Sequence, residues 1–526
     1  MSRNVFACII GIFILVSSSH ADEITGDILA DTKLLRLRSA IARGIERNLD
    51  LKVEELNIPI GHENTVTNEA DFDPTIDVSI YSLEDETPSA SAFTEGGLDI
   101  YRETGGTMGI SKKFQFGLES RLSYDTLRSM NNSSVDALRP QYRNLLILNM
   151  SQPLLRDMGT NVNTADLRIS QNAALQAVEG YTDKAQLIAE EIELAYYDLA
   201  EAVFIYRYRL ESRKLAHELF QGNRKKFKAG MVPITEVQEA EAAIASRDEE
   251  VVFARQQVET SCNDLKDLLE IRPGDPLYGE LFVTEKIPGE EQAYPNLGKA
   301  FALALEERPD IRVKYLEIEN LDISLEFYKN QKLPRLDLEA TLGANGLSGG
   351  GRPISFSGLS ASSAWEGNYS DSLSGMADRD GYEWYVGLRY SCPLGNRASK
   401  AQYRIADKKK RQSIYQLKRL EGAIETEVKN SLVVIERSLE RIRVSERFEE
   451  LAETTLEQEM ERLKEGLSDT FRILDFQDDL IGARIRKVRA LMDFNRGLAG
   501  LYRAMGKNLD RFNIIAEYNN KVTTQP

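Results

Sequence analysis

The chain has 526 residues and a formal net charge of −17, with 66 basic against 83 acidic side chains. That balance argues against nucleic acid, whose recognition needs clustered Lys and Arg. Acidic partners, a cation path and plain solubility all stay open, and the length allows several domains.

The first residues, MSRNVFACIIGIFILVSSSHA, read as an export signal. Arg3 is the basic n-region, Val5 to Val16 the apolar h-region, and Ser19-His20-Ala21 the small-residue cleavage site. Cys8 lies inside the h-region, away from the cleavage point, which argues against a lipoprotein anchor. The mature chain is expected to begin at Asp22. It keeps only Cys262 and Cys392, too few for a disulfide framework. No later run of about 18 apolar residues follows, so no membrane helix is expected. Any membrane role must come from strands.

The mature chain repeats itself. AIARGIERNLDLKV from Ala40 aligns with AFALALEERPDIRV from Ala300, at an offset of 260 that also pairs Pro74 with Pro334 and Asp77 with Asp337. SQPLL at Ser151 meets SCPLG at Ser391. Arg168 then meets Arg404, and Gly230 meets Gly466, both at an offset of 236. Each copy reads helix, strands, long helix, break, helix. From Pro74 to Pro153 is 79 residues, but from Pro334 to Pro393 only 59, so the first copy carries 20 extra residues among its strands.

The long helices have a coiled-coil seam. Ile192, Tyr196, Leu199, Val203, Tyr206 and Leu210 alternate spacings of four and three, as do Val428, Leu432, Ile435, Leu439 and Ile442. The strands alternate apolar with polar residues. Ile76, Val78 and Ile80 do so first, then Phe114, Phe116, Leu118, Leu122 and Tyr124, then Leu146, Leu148 and Met150. In the second copy Leu336, Leu338, Ala340 and Leu342 follow the pattern, then Trp384, Val386, Leu388 and Tyr390. Short dyad segments between Gly/Ser/Asn loops, with Trp365 and Trp384 among them, suit an outer-membrane barrel. Four to six strands do not close a barrel, and open edges are not tolerated in hydrocarbon. The chain must therefore supply part of a barrel that closes by oligomerisation.

In these motifs the chain resembles the TolC family of outer-membrane efflux and secretion channels. The resemblance rests on the paired helices at Ala40 and Ala300, the strand entries FDPTIDV and KLPRLDL, and the strand exits SQPLLRDMG and SCPLG. The turns KAGMVPITEVQEA and KEGLSDTFRILDFQ and the final RGLAGLYRAMG complete it. It implies an α+β membrane protein built from a tandem duplication, with a trimeric outer-membrane β-barrel continued by a long periplasmic helical barrel. Each protomer would give four strands to a shared barrel of 12. The implied division is a signal peptide over 1–21, an N-terminal periplasmic helix over 22–74 and a first strand set over 75–153. A first helical hairpin over 154–270, turning near 230, and a proline-rich linker over 271–296 come next. A second periplasmic helix then covers 297–333, a second strand set 334–394, a second hairpin 395–507 turning near 466, and a tail 508–526.

The resemblance also assigns roles. The protein would be the exit duct of an efflux or type I secretion system in a Gram-negative outer membrane. Its partners would be a periplasmic adaptor, an inner-membrane pump of the RND or ABC type, and outer-membrane lipid. The tips would dock the adaptor through Gly230, Met231, Val232, Gly466, Leu467 and Ser468. Glycine suits such a turn because it tolerates left-handed backbone. Just inside lies the entrance, with Glu236, Arg472, Asp475, Asp478 and Asp479. Three carboxylates on one face of the second helix, repeated by threefold symmetry, would form a charged ring. Arg472 stands where the family's better-known member has an aspartate. It is expected to bridge to Glu236 or Asp475 of a neighbouring helix.

The extra residues of the first copy leave two readings. As one strand, Thr107 to Asp125 would span roughly 60 Å at ~3.3 Å per residue, well past an apolar band of about 25 Å. The stretch is either a hairpin turning near Gln115 to Gly117 or a strand projecting beyond the membrane; four strands per chain is the default. No P-loop, HExxH or CxxC is present, GANGLSGGG lacks a following helix N-terminus, and no cofactor is expected. The competing class is a periplasmic coiled-coil adaptor without a pore. Dyad strands and full duplication argue against it.

Overall fold

Two periodicities in the sequence give two kinds of structure. The computed structural model describes residues 28–29, 32–90, 93–289, 293–356 and 359–514. The expected signal peptide over 1–21 and the last twelve residues of the expected tail lie outside the described residues. The chain divides into two compact units: the segment ending at Ile58 with 177–313 and the segment from Gln416 onward, and then 59–176 with 314–415.

The chain opens with strand β1 (Thr32–Leu35) and helices α1 (Leu37–Arg47) and α2 (Leu49–Glu69). Strands β2 (Thr75–Pro88), β3 (Leu98–Lys113), β4 (Glu119–Asn131) and β5 (Leu138–Pro153) follow. The first hairpin is α3 (Ala165–Lys228) and α4 (Ile234–Leu268). Strand β6 (Leu281–Thr284), α5 (Leu297–Glu307) and α6 (Pro309–Asn330) begin the second copy. It continues with β7 (Arg335–Gly351), the short β8 (Ile354–Phe356) and β9 (Leu359–Ala361), α7 (Tyr369–Asp378) and β10 (Gly381–Ser391). The second hairpin is α8 (Arg397–Lys464) and α9 (Thr470–Ala504).

In the helical unit the seam residues Ile192, Tyr196, Leu199, Val203 and Tyr206 are all buried in one apolar core. Val428, Leu432, Ile435 and Ile442 are buried in a second. Between the copies, residues expected to be only a linker contain β6, which pairs in parallel with β1. Tyr196 holds this join: its hydroxyl donates to Leu35 O and accepts from Glu285 N, each at 2.9 Å.

In the other unit a six-stranded antiparallel sheet runs in the order β10-β7-β5-β4-β3-β2. The expectation of four strands per chain is therefore corrected to six. The stretch from Thr107 to Asp125 is a hairpin with Thr107 opposite Asp125. Its turn is closed by Phe114 N–H to Leu118 O and Gly117 N–H to Phe114 O, each at 2.8 Å, with Gly117 at φ 100°. The apolar alternation passes through the turn at Phe114 and Phe116 and so hides it in the sequence. The first copy spends its residues on four strands, whereas the second makes two and uses the rest for β8, β9 and α7.

The register sorts the side chains onto two faces. One carries Ile76, Val78, Ile80, Met108, Ile110, Leu122, Leu146, Leu342, Trp384, Val386 and Leu388, all exposed. The other carries ion pairs, Arg121 with Asp77 at 2.6 Å and Arg389 with Glu339 at 2.9 Å. Toward the end where β2 finishes, the first face turns polar, and α7 lies on it. Asn144 is fully buried there and donates to Ser372 Oγ, while the Tyr369 hydroxyl sits 3.0 Å from both Tyr124 OH and Thr126 Oγ1. Gly346 permits this close approach, since a Cβ there would lie 1.9 Å from Ser372 O.

Candidate functional site

The helical unit contains two reversals, and both obey the same backbone rule. After α3, Gly230 takes φ 73° and donates its N–H to Phe227 O, while Met231 N–H returns to Lys226 O at 2.9 Å. After α8, Gly466 takes φ 78° and donates to Leu463 O, while Leu467 N–H returns to Arg462 O at 2.8 Å. This pair of bonds satisfies carbonyls that a helix end leaves open, and its left-handed position favours glycine. No neighbouring atom lies within 4 Å of a Cβ added at either glycine. Met231 and Leu467 extend outward, 72% and 67% exposed, and Phe471 joins Leu467 at 67%.

Behind the tips the side chains lock the helices together. Asn223, buried on α3, donates to Glu236 O at 3.1 Å and to Thr470 Oγ1 at 2.6 Å. Glu236 Oε2 in turn accepts from Thr470 N at 3.0 Å. A carboxylate at a helix N-terminus stabilises an orphan N–H and the positive end of the dipole. The first hairpin therefore caps the returning helix of the second. Asp469 completes that N-terminus by accepting from Arg472 N at 2.9 Å.

The second tip is held by Glu459. Its carboxylate, 6% exposed, accepts from Ser468 Oγ at 2.6 Å and lies 3.2 Å from Arg462 Nη1 and 3.5 Å from Arg472 Nη1. The Ser468 hydroxyl, with attraction from Arg462 and Arg472, holds the Glu459 carboxyl below the usual range. Below this, Ala452, Leu456, Ile473, Leu480 and Ala483 form a small apolar core.

The expected entrance residues divide among these contacts. Within the chain Arg472 bridges neither Glu236 nor Asp475; it pairs with Glu459, because its helix position faces α8. Asp478 is drawn to Arg247, whose Nη2 is 2.7 Å away and whose Nε donates to Ser212 Oγ at 2.7 Å. Asp475 and Asp479 remain exposed. The partners Asn223, Arg247, Glu459 and Thr470 gave no signal in the sequence, since each looks like one more polar residue on a helix. Among the described residues no group of His, Cys, Asp and Glu is placed to hold a metal, and no helix is long and apolar enough to cross a membrane.

The model of the outer membrane efflux protein family matches residues 41–269 and 301–507. The chain belongs to that family. The two matched stretches follow the two copies of the repeat. Solved channels share the fold over nearly their whole lengths. Campylobacter jejuni CmeC is 15% identical at a TM-score of 0.63, with 90% of this chain and 86% of that one covered. Vibrio cholerae VceC is 15% identical at 0.62, covering 90% and 96%. Neisseria gonorrhoeae MtrE, solved in an open state, is 16% identical at 0.56, covering 90% and 89%. No curated protein sequence matches. As an outer membrane efflux protein, the chain is a channel component of the outer membrane and not an enzyme.

Proposed function

We propose that this efflux protein is the exit duct of a tripartite export system. It assembles as a homotrimer, docks a periplasmic adaptor at its two tips, and passes cargo from an inner-membrane pump to the exterior. Pumps of the RND and ABC classes both fit this scheme. The observation that carries the reading is the two-faced sheet. Its exposed apolar face suits lipid, and its ion-paired face suits a water-filled lumen. One chain does not close that sheet, because its two edges are β2 and β10. The exposed Met231 and Leu467 supply the apolar contact an adaptor would bury, and the carboxylates behind them supply the charged entrance.

The test is assembly and insertion. Purified in mild detergent, the protein should have the mass of a trimer by light scattering, and it should stay in the outer membrane through a high-salt wash. A folded monomer in detergent overturns the shared duct. Release by salt would favour a peripheral coiled-coil protein.

A further inference from the structure

The second copy's edge strand and the first copy's edge strand are built to meet. Strand β10 carries Trp384, Val386, Leu388 and Tyr390 on the apolar face, and β2 carries Ile76, Val78 and Ile80 on the same face, all exposed. Strand β10 contains no lysine or proline and pairs with β7 without a bulge. From Thr75 to Leu83 there is no lysine, proline or bulge.

We infer that β10 of one protomer pairs antiparallel with β2 of the next, closing an eighteen-stranded barrel in which Arg389 faces Asp77 of the partner subunit. This rests on the trimeric reading above. The register follows from the stagger already in the sheet. Thr75 is level across the strands with Ser111, Arg121, Asn149, Thr341 and Tyr385. Tyr385 lies six residues before the end of β10 at Ser391. Strand ends stay level around the ring only if the next β2 starts opposite Ser391.

Four consequences agree with that register. Ile76, Val78 and Ile80 of the partner subunit come opposite Tyr390, Leu388 and Val386, so the apolar face continues. Asp77 of the partner subunit comes opposite Arg389, so the pairs Glu339–Arg389 and Asp77–Arg121 join into one alternating belt on the lumen face. A stagger of six residues over six strands gives a tilt of about 35° at ~3.3 Å per residue and ~4.8 Å between strands, as in known outer-membrane barrels. The resulting barrel is about 34 Å across between backbones, against about 22 Å for twelve strands at the same tilt. Such a barrel leaves an open aqueous channel, so the outer-membrane portion would admit bulky cargo.

The experiment is disulfide cross-linking in a Cys392→Ser background, where the remaining described cysteine, Cys262, is buried. Opposed residues in an antiparallel pair lie close enough to bridge. Val78→Cys combined with Leu388→Cys should convert most of the protein to a covalent trimer on mild oxidation. Val78→Cys with Gly387→Cys, on opposite faces, should stay monomeric on the same gel. Light scattering of the reduced variants separates the possible failures. A native trimer without the covalent ladder overturns the barrel closure and leaves the duct standing. Loss of the trimer in the unmodified protein overturns both.

Discussion

The two helical tips occupy equivalent places in the repeat, and they are locked by different chemistry. At an offset of 236, Gly230 corresponds to Gly466, Pro233 to Asp469, Glu236 to Arg472 and Asn223 to Glu459. The backbone is the same in both, a left-handed glycine with two returning hydrogen bonds. The side chains diverge at every lock position. In the first tip a neutral amide and a carboxylate reach across to cap Thr470 on the other hairpin. In the second, a buried carboxylate gathers Ser468, Arg462 and Arg472 from its own hairpin. Duplication kept what the turn requires and released what the lock requires. One tip ties the hairpins together, while the other stiffens itself.

The largest effect should come from what both tips share. Met231→Glu with Leu467→Glu puts charge on both exposed apolar ends and should reduce export to the level of a deletion strain. The trimer mass in detergent should be unchanged. Normal export in cells carrying the double variant would show that the tips are only turns.

Next come the locks. Asn223→Ala removes two hydrogen bonds and leaves the buried Thr470 hydroxyl without its donor, at a cost of about 2 kcal/mol. Hydrogen exchange should rise at both tips, because this residue joins the hairpins. Loss confined to residues near 230 would mean that the cross-hairpin bonds carry little. Gly230→Ala and Gly466→Ala should each cost about 1 kcal/mol from left-handed backbone strain. The two costs should match, since neither position has neighbours for a Cβ to meet.

Much of this architecture was legible because it is periodic or punctuated. Glycine at 230 and 466, each after a long proline-free helix, marks both reversals, and the seam from Ile192 to Tyr206 marks the core. The hairpin at 114–118 was not legible, because Phe114 and Phe116 keep the strand alternation through the turn. In the second copy, α7 looks like loop until Asn144 and Gly346 are seen beneath it. Glu459 sits in a run of helix-forming acids and bases, and Arg247 among acidic neighbours. Only packing distinguishes a lock from a solvated helix face.

Glu459 gives the second tip an acid response. Its native pKa is lowered, so its contribution is complete above the ordinary glutamate value of about 4.3. That contribution is lost as pH falls below this value through the depressed native one. Amide exchange near 459–472, corrected for intrinsic rate, should hold steady from neutral pH to about 5 and accelerate at lower pH. Glu459→Gln should remove that pH dependence while leaving the exchange near 230 as it was. An unchanged profile would move the acid-sensitive group elsewhere.

The smallest effect is expected at Arg472, and it separates the second tip's own lock from a gate between copies. Within the chain Arg472 is one of three groups on Glu459, at the longest distance, and its side chain is 55% exposed. Ser468 and Arg462 remain when it is removed. Arg472→Gln should therefore cost less than about 1 kcal/mol, as exposed pairs do, and that small cost should shrink further in high salt. Single-channel conductance in planar bilayers should match the wild type at the same ionic strength. A gate built on Arg472 would behave otherwise. Three symmetric arginines bridging to Glu236 or Asp475 of neighbouring copies would hold a narrow entrance shut, and neutralising them would raise conductance and cation preference together. A clear rise in both would place the partner of Arg472 across the subunit boundary. The equivalence of Glu236 and Arg472 in the repeat would then be a complementary pair between copies.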